Sequence, residues 1–253
     1  MTVRGVAIVT GGAAGLGEAI ARRLASEGCG VVITDIDAAN ATRVADTITA
    51  TGAPAVAVPG DVTRDADVAE AVRVAGTLGP LRVLILSAAI ETRQPVLECS
   101  DHDWQQVLDV NLKGPFLYMR AAIPVMAAHG GGSVVALGST LGLIVAPGHA
   151  AYCASKGALV NLCKQAAIEH APDNVRVNMV APSATDTGLF IRFSDQAPDP
   201  GGLRQRIADL NPMHRLGTAQ EVCDAVVFLA SEQSSYTSGA VLPVDGALAA
   251  RRM

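Results

Sequence analysis

Short apolar runs alternate with longer amphipathic stretches along nearly the whole chain. The seven short runs cover residues 6–9, 31–34, 55–58, 83–86, 133–137, 175–180 and 241–244. They are rich in Val, Ile and Leu, as strands buried on both faces of a parallel sheet must be. Between them, helical spacing is predicted over about 15–27, 38–51, 65–77, 101–108, 112–128, 150–171 and 221–230. Strand and helix signals that alternate this way predict an α/β fold: a doubly wound parallel sheet of about seven strands with helices on both faces. No linker, repeat or low-complexity stretch interrupts the pattern, so residues 1–253 read as a single domain. Residues 182–212 show no clear period and contain Asp199-Pro200-Gly201-Gly202, a turn-rich stretch. They are expected to form a long irregular loop, with a lid over the site at about 183–213.

Composition supports a large core built from small side chains. Hydrophobic residues make up 50% of the chain, charged residues 17% and aromatics only 3%. A net charge of -5 and no basic run longer than Arg22-Arg23 or Arg251-Arg252 argue against a nucleic-acid partner. No stretch of about eighteen apolar residues avoids Gly and charge, so no membrane span is expected. Met1-Thr2-Val3-Arg4 carries no secretory pattern, and the expected compartment is the cytoplasm. Cys29, Cys99, Cys153, Cys163 and Cys223 are odd in number and lack a C-x-x-C pair, so neither a disulfide framework nor a metal site is expected.

The first junction between strand and helix carries Thr10-Gly11-Gly12-Ala13-Ala14-Gly15-Leu16-Gly17. Glycines there permit a tight turn and close approach of backbone to a pyrophosphate, at a helix N-terminus whose free N–H groups favour anions. Asp35 closes the second run about 20 residues later, where a carboxylate accepts hydrogen bonds from ribose hydroxyls and repels a 2′-phosphate. No Arg or Lys stands in the glycine turn or just after Asp35, which favours NAD over NADP. The alternative for Asp35 is an N-cap on the next helix, a role open to Asp37 as well. Asp61-Val62 follows the third run; Asp61 borders the adenine pocket or belongs to a cap with Thr63.

Tyr152 and Lys156 are four residues apart at the start of a helical stretch and so share one face. Ser139 follows the fifth run, at the strand ends where open α/β sheets bind ligands. Oxidising an alcohol requires a base for the hydroxyl proton. Free tyrosine titrates near pH 10, so bringing it to about 7 needs roughly 4 kcal/mol. A cation at about 4 Å supplies on the order of 4 kcal/mol at an effective dielectric of 20. Lys156 is therefore expected to lower Tyr152, with help from an oxidised nicotinamide, and Ser139 to orient the substrate oxygen.

These motifs resemble the short-chain dehydrogenase/reductase family over almost the full length. Thr10–Gly17 resembles its T-G-x-x-x-G-x-G turn, and Tyr152-Cys153-Ala154-Ser155-Lys156 its Y-x-A-S-K. The resemblance implies a Rossmann-type fold, catalytic residues Asn111, Ser139, Tyr152 and Lys156, and a homotetramer joined through helices near 112–128 and 150–171 and through the last strand. Asn111, in Asp109-Val110-Asn111-Leu112, would bend its helix and hold a water linking Lys156 to solvent. The implied cofactor is NAD. Its site would comprise Gly11, Ala14, Gly15, Leu16, Gly17, Asp35, Ile36, Asp61, Val62, Ser87, Ala88, Ala89, Tyr152, Lys156, Pro182, Thr185 and Thr187. The family's N-N-A-G after the fourth strand is here Leu86-Ser87-Ala88-Ala89, and Ser183 and Thr185 also depart from the usual pattern after Pro182.

The partner implied is a small alcohol or ketone, medium-sized and apolar (cyclic, aromatic or acyl), facing residues 141–145, Leu189, Phe190, Ile191 and Phe193. Glu91 and Arg93 are expected on solvated surface and His149 in an exposed loop, with substrate contact as the other reading. His129-Gly130-Gly131-Gly132 lacks a G-x-S-x-G partner and reads as a helix end. The rival functions are a 3-oxoacyl-type reductase, disfavoured by Asp35 and the acidic charge, and a catalytically silent nucleotide sensor, disfavoured by the intact Ser139, Tyr152 and Lys156.

Overall fold

Successive side chains of a strand point to opposite faces, so a continuous apolar run requires cover on both. The computed structural model, which describes residues 3–251, supplies that cover. Met1, Thr2 and Arg252, which entered the reading of the N-terminus and of the terminal basic pair, lie outside the described residues. The strands are β1 Val6–Thr10, β2 Gly30–Asp35, β3 Ala55–Pro59, β4 Leu81–Leu86, β5 Gly132–Leu137, β6 Val175–Pro182 and β7 Val241–Val244. They form one parallel sheet in the order β3-β2-β1-β4-β5-β6-β7.

One face of the sheet, with Ile8, Val32, Leu84, Val134 and Val177, packs on α3 (Asp65–Leu78), α5 (Gly114–Ala128) and α6 (Ala150–His170). The other, with Ala7, Val9, Ile33, Ile85 and Val135, packs on α1 (Gly15–Ser26), α2 (Ala38–Thr49) and α9 (Ala219–Ala230). Each fully buried aliphatic side chain contributes about 1.5–3 kcal/mol, so these two layers hold the sheet without staples. The chain leaves β1 toward β2 on one side and returns to β4 on the other. That reversal opens a crevice between the loops that follow β1 and β4.

Two segments differ from the sequence expectation. Residues 182–212 are not one irregular loop. β6 continues to Pro182 because Val244 pairs with it. Two helices follow, α7 Gly188–Ser194 and α8 Pro200–Leu210. Asp199-Pro200 acts as a helix start: Pro200 occupies the first turn, and the Asp199 carboxylate accepts from the Gly202 N–H at 2.9 Å. The second difference is continuity. α4 (Asp101–Leu108) runs into α5 through a π-helical turn at Asp109–Lys113, which carries Asn111. α5 ends as expected at His129-Gly130-Gly131, where the Gly131 N–H donates to Met126 O.

Candidate active site

The glycine turn is shaped by contacts that allow no side chain. A Cβ on Gly17 would lie 2.0 Å from the Gly11 carbonyl oxygen, and one on Gly11, at φ +64°, 2.7 Å from Ala88 Cα. The loops after β1 and β4 therefore touch across the crevice, and the Thr10 hydroxyl accepts from both Ser87 N and Ala88 N. Ala14 is the N-cap of α1 in extended conformation, and no side chain caps the helix. The first-turn N–H groups of Gly15, Leu16 and Gly17 thus have no side-chain cap at this end of the helix. The donor set fits a pyrophosphate.

Asp35 ends β2 beside this turn. Its carboxylate accepts from Ala13 N and Asp37 N, both at 3.1 Å. The N-cap of α2 is Asp37, which accepts from Asn40 N, so capping is not the role of Asp35. Ile36 beside it is 78% exposed. An arginine also reaches this region. Arg43 of α2 donates to Ala13 O and is clamped by both carboxylate oxygens of Glu18 at 3.1 and 2.8 Å. Arg43 beside Glu18 holds that carboxyl below its usual range. The residues next to Asp35 in sequence carry no sign of this cation, because Arg43 sits eight residues further along, on α2.

Asp61 spends one oxygen on Thr63, accepting from its N–H and hydroxyl at 2.8 Å, in a local turn. Val62 packs its side chain against Gly114, so only its backbone faces outward. Thr185 is buried and donates to Ser183 O. Thr187, the N-cap of α7, stands near Gly15, which brings the segment after Pro182 to the glycine turn.

Ser139 follows β5 and accepts from Leu141 N, capping the short turn Thr140–Gly142. A Cβ on Gly142 would meet the Lys156 carbonyl oxygen at 2.8 Å, so this turn lies directly on α6. Tyr152 and Lys156 occupy the first two turns of α6 and are buried. Lys156 Nζ donates to Leu137 O at 2.8 Å and lies 5.6 Å from the centre of the Tyr152 ring. Burial pulls the Lys156 ammonium down to about 8. Burial also raises Tyr152, with a further push from the Glu91 charge; the Ser139 hydroxyl beside it pulls the other way. Lys156, its ammonium turned toward Leu137 O, is not among the groups that lower Tyr152 here; the expected lowering also drew on an oxidised nicotinamide. Removal from water outweighs a cation turned toward a carbonyl.

Asn111 is fully buried. Its amide oxygen accepts from Ile90 N at 2.9 Å, and its nitrogen donates to Ile90 O at 2.8 Å and Ser155 Oγ at 3.2 Å. Asn111 thus sits in a distorted turn, and its amide clamps the loop after β4.

That loop corrects a second expectation. Gln94 pairs with His149, and Ala150 N donates to Gln94 O, which folds residues 91–94 onto the start of α6. Glu91 and His149 are therefore not solvated: their side chains are 10% and 12% exposed, with Glu91 Oε1 2.7 Å from His149 Nδ1. That contact is short but lies off the hydrogen-bonding direction of the ring nitrogen. Arg93 is about one-third exposed, 3.5 Å from Glu91, and stacks on Phe193 of α7 at 3.1 Å from the ring centre. A separate cleft of about 530 Å³ lies under the opposite ends of the strands. Its Arg82 and Arg176 are spent on the carbonyls of Gly131, Leu229 and Ser231.

A seven-stranded parallel sheet, a glycine turn at its crevice and a Ser–Tyr–Lys group on the next loops define a class of nucleotide-dependent oxidoreductase. Comparison with known proteins agrees: a family model described as enoyl-(acyl carrier protein) reductase matches residues 11–248. The chain belongs to the short-chain dehydrogenase/reductase family. It is 37% identical over 247 residues to 2-(S)-hydroxypropyl-CoM dehydrogenase 3 of Xanthobacter autotrophicus, covering 97% of this chain and 96% of that one. It is 38% identical over 243 residues to cis-4-hydroxycyclohexanecarboxylate dehydrogenase of Sinomonas cyclohexanicum, covering 95% of each. The crystal structure of levodione reductase superposes with a TM-score of 0.95 over 100% of both chains, at 28% identity. No helix among the described residues is long and apolar enough to cross a membrane.

Proposed function

We propose that the protein interconverts a secondary alcohol and a ketone with NAD(H), using Tyr152 to move the hydroxyl proton. The observation that carries this reading is the packing of Ser139, Tyr152 and Lys156 against the crevice that the glycine turn borders. The relatives named above act, by their names, on secondary alcohols, which favours the same reaction class.

Gly11 and Gly15–Gly17 would hold the pyrophosphate, Asp35 the ribose hydroxyls, Ile36 one face of the adenine, and Pro182–Thr187 the nicotinamide side. Bound there, the nicotinamide supplies the hydride acceptor or donor and, when oxidised, a positive charge beside Tyr152. The Ser139 hydroxyl donates to the substrate oxygen and fixes it beside the Tyr152 hydroxyl. Tyr152 takes the alcohol proton in one direction and returns it to the ketone oxygen in the other. Lys156 keeps its proton toward Leu137 O and stabilises the phenolate through space. Asp35 favours NAD over NADP, and Glu18 engages both Arg22 and Arg43 nearby. α7 and α8 act as the lid of a single domain. Phe116 and Ile168, exposed on α5 and α6, favour assembly into a homotetramer through those helices, and the expected compartment is the cytoplasm.

The test compares wild type and Tyr152→Phe with NAD and with NADP on cyclic, aromatic and acyl alcohols, by absorbance of the reduced nicotinamide. The expected result is NAD-linked turnover that falls about a hundredfold or more in Tyr152→Phe. Turnover preferring NADP would overturn the role of Asp35. Unchanged turnover in Tyr152→Phe would overturn the proton-transfer role.

A further inference from the structure

None of Glu91, Arg93 and His149 is assigned a proton-transfer step in the reaction described above. We propose that Arg93 is the docking point for a carboxylate-type oxyanion carried by the substrate at the end remote from the reacting carbon. The proposal rests on the alcohol/ketone reading and adds a substrate class to it.

Four observations support it. The Arg93 guanidinium is oriented by its face, stacked on Phe193, which leaves the N–H edge for planar, two-point recognition. Its only polar contact among the described residues is Glu91, at a loose 3.5 Å. Glu91 is itself shared: Oε2 faces Arg93 and Oε1 faces His149 Nδ1, so it meets only part of the donor capacity of Arg93. The Thr92 hydroxyl next to Arg93 is buried without a hydrogen-bond partner.

Position and electrostatics agree with this. The charges of Glu91 and Arg93 both act on Tyr152, so the group lies within reach of a substrate held there. Burial is the largest influence on Arg93 and disfavours its charge, more than the Glu91 carboxylate favours it. A guanidinium that is poorly hydrated and only partly paired gains from a second oxyanion. Because Phe193 belongs to α7, an anion held by Arg93 would lie under that helix.

The test is calorimetric binding of cyclohexanecarboxylate and of cyclohexanecarboxamide to the full-length protein in the presence of NADH. The two probes share a size and differ in charge. The expected result is roughly ten- to a hundredfold tighter binding of the carboxylate. That ratio should fall to near one in Arg93→Gln and take an intermediate value in Arg93→Lys, which keeps the charge but not the fork. The ratio cancels any loosening of α7 that weakens both probes alike. A wild-type ratio near one, no binding of either probe, or a ratio that persists in Arg93→Gln would overturn the proposal. Failure of the alcohol/ketone reading shows separately, as absence of Tyr152-dependent turnover of every alcohol tried, hydroxycyclohexanecarboxylates as well as neutral cyclohexanol.

Discussion

Lys156→Met should cost the protein its turnover while leaving the fold as stable or more so, and the balance should depend on pH. Lys156 is buried, and burial moves its ammonium from 10.5 to about 8. A displacement of that size corresponds to about 3 kcal/mol, the cost of keeping the charge inside the fold at neutral pH. Methionine fits a similar space without charge. Against this gain, the Leu137 carbonyl loses its hydrogen bond, at about 1–3 kcal/mol. The net effect near pH 7 is between about zero and 2 kcal/mol in favour of Lys156→Met.

The pH dependence is the sharper signature. Below about 8 the lysine is protonated in both folded and unfolded chains, so wild type carries the full cost. Between about 8 and 10.5 the unfolded chain keeps the proton and the folded chain releases it. Wild-type stability therefore rises with pH relative to the variant, by about 3 kcal/mol across that window. Urea unfolding of both proteins from about pH 7 to about pH 10 measures the difference directly. A flat difference would refute the reasoning and show that Lys156 is solvated enough to keep an ordinary affinity for its proton.

Two further outcomes follow from single contacts. Asn111→Ala leaves Ile90 N and O without their partner, so it should destabilise the chain by about 2–4 kcal/mol in urea unfolding; a loss under about 1 kcal/mol would mean the loop after β4 holds itself. Gly17→Ala places a methyl group 2.0 Å from the Gly11 carbonyl and should weaken NADH binding, read by nucleotide fluorescence, by about tenfold or more; unchanged binding would remove the glycine turn from the cofactor site.

Much of the scaffold was legible because it is written in local chemistry. A strand buried on both faces needs an unbroken apolar run, and all seven runs became strands of the sheet. Tyr152 and Lys156 could be paired from the chain alone, since residues four apart on a helix share a face whatever packs around them. The helix α8 is not legible locally because Asp199-Pro200-Gly201-Gly202 suits a turn and a helix start equally. The spacing of Leu203, Ile207 and Leu210 was the signal that could have decided it.

By itself, then, the sequence determined the order of strands and helices, the glycine turn and the residues offered for proton transfer, each through interactions within a few residues. Only the tertiary structure decided which groups face one another. It turned Lys156 toward Leu137 O, set Arg43 against Glu18, spent the Asn111 amide on Ile90, and buried Glu91 against His149. These pairings join segments far apart in the chain, or hang on a rotamer set by packing. Burial then decides the charge state of what they hold, and a linear pattern carries no record of burial depth.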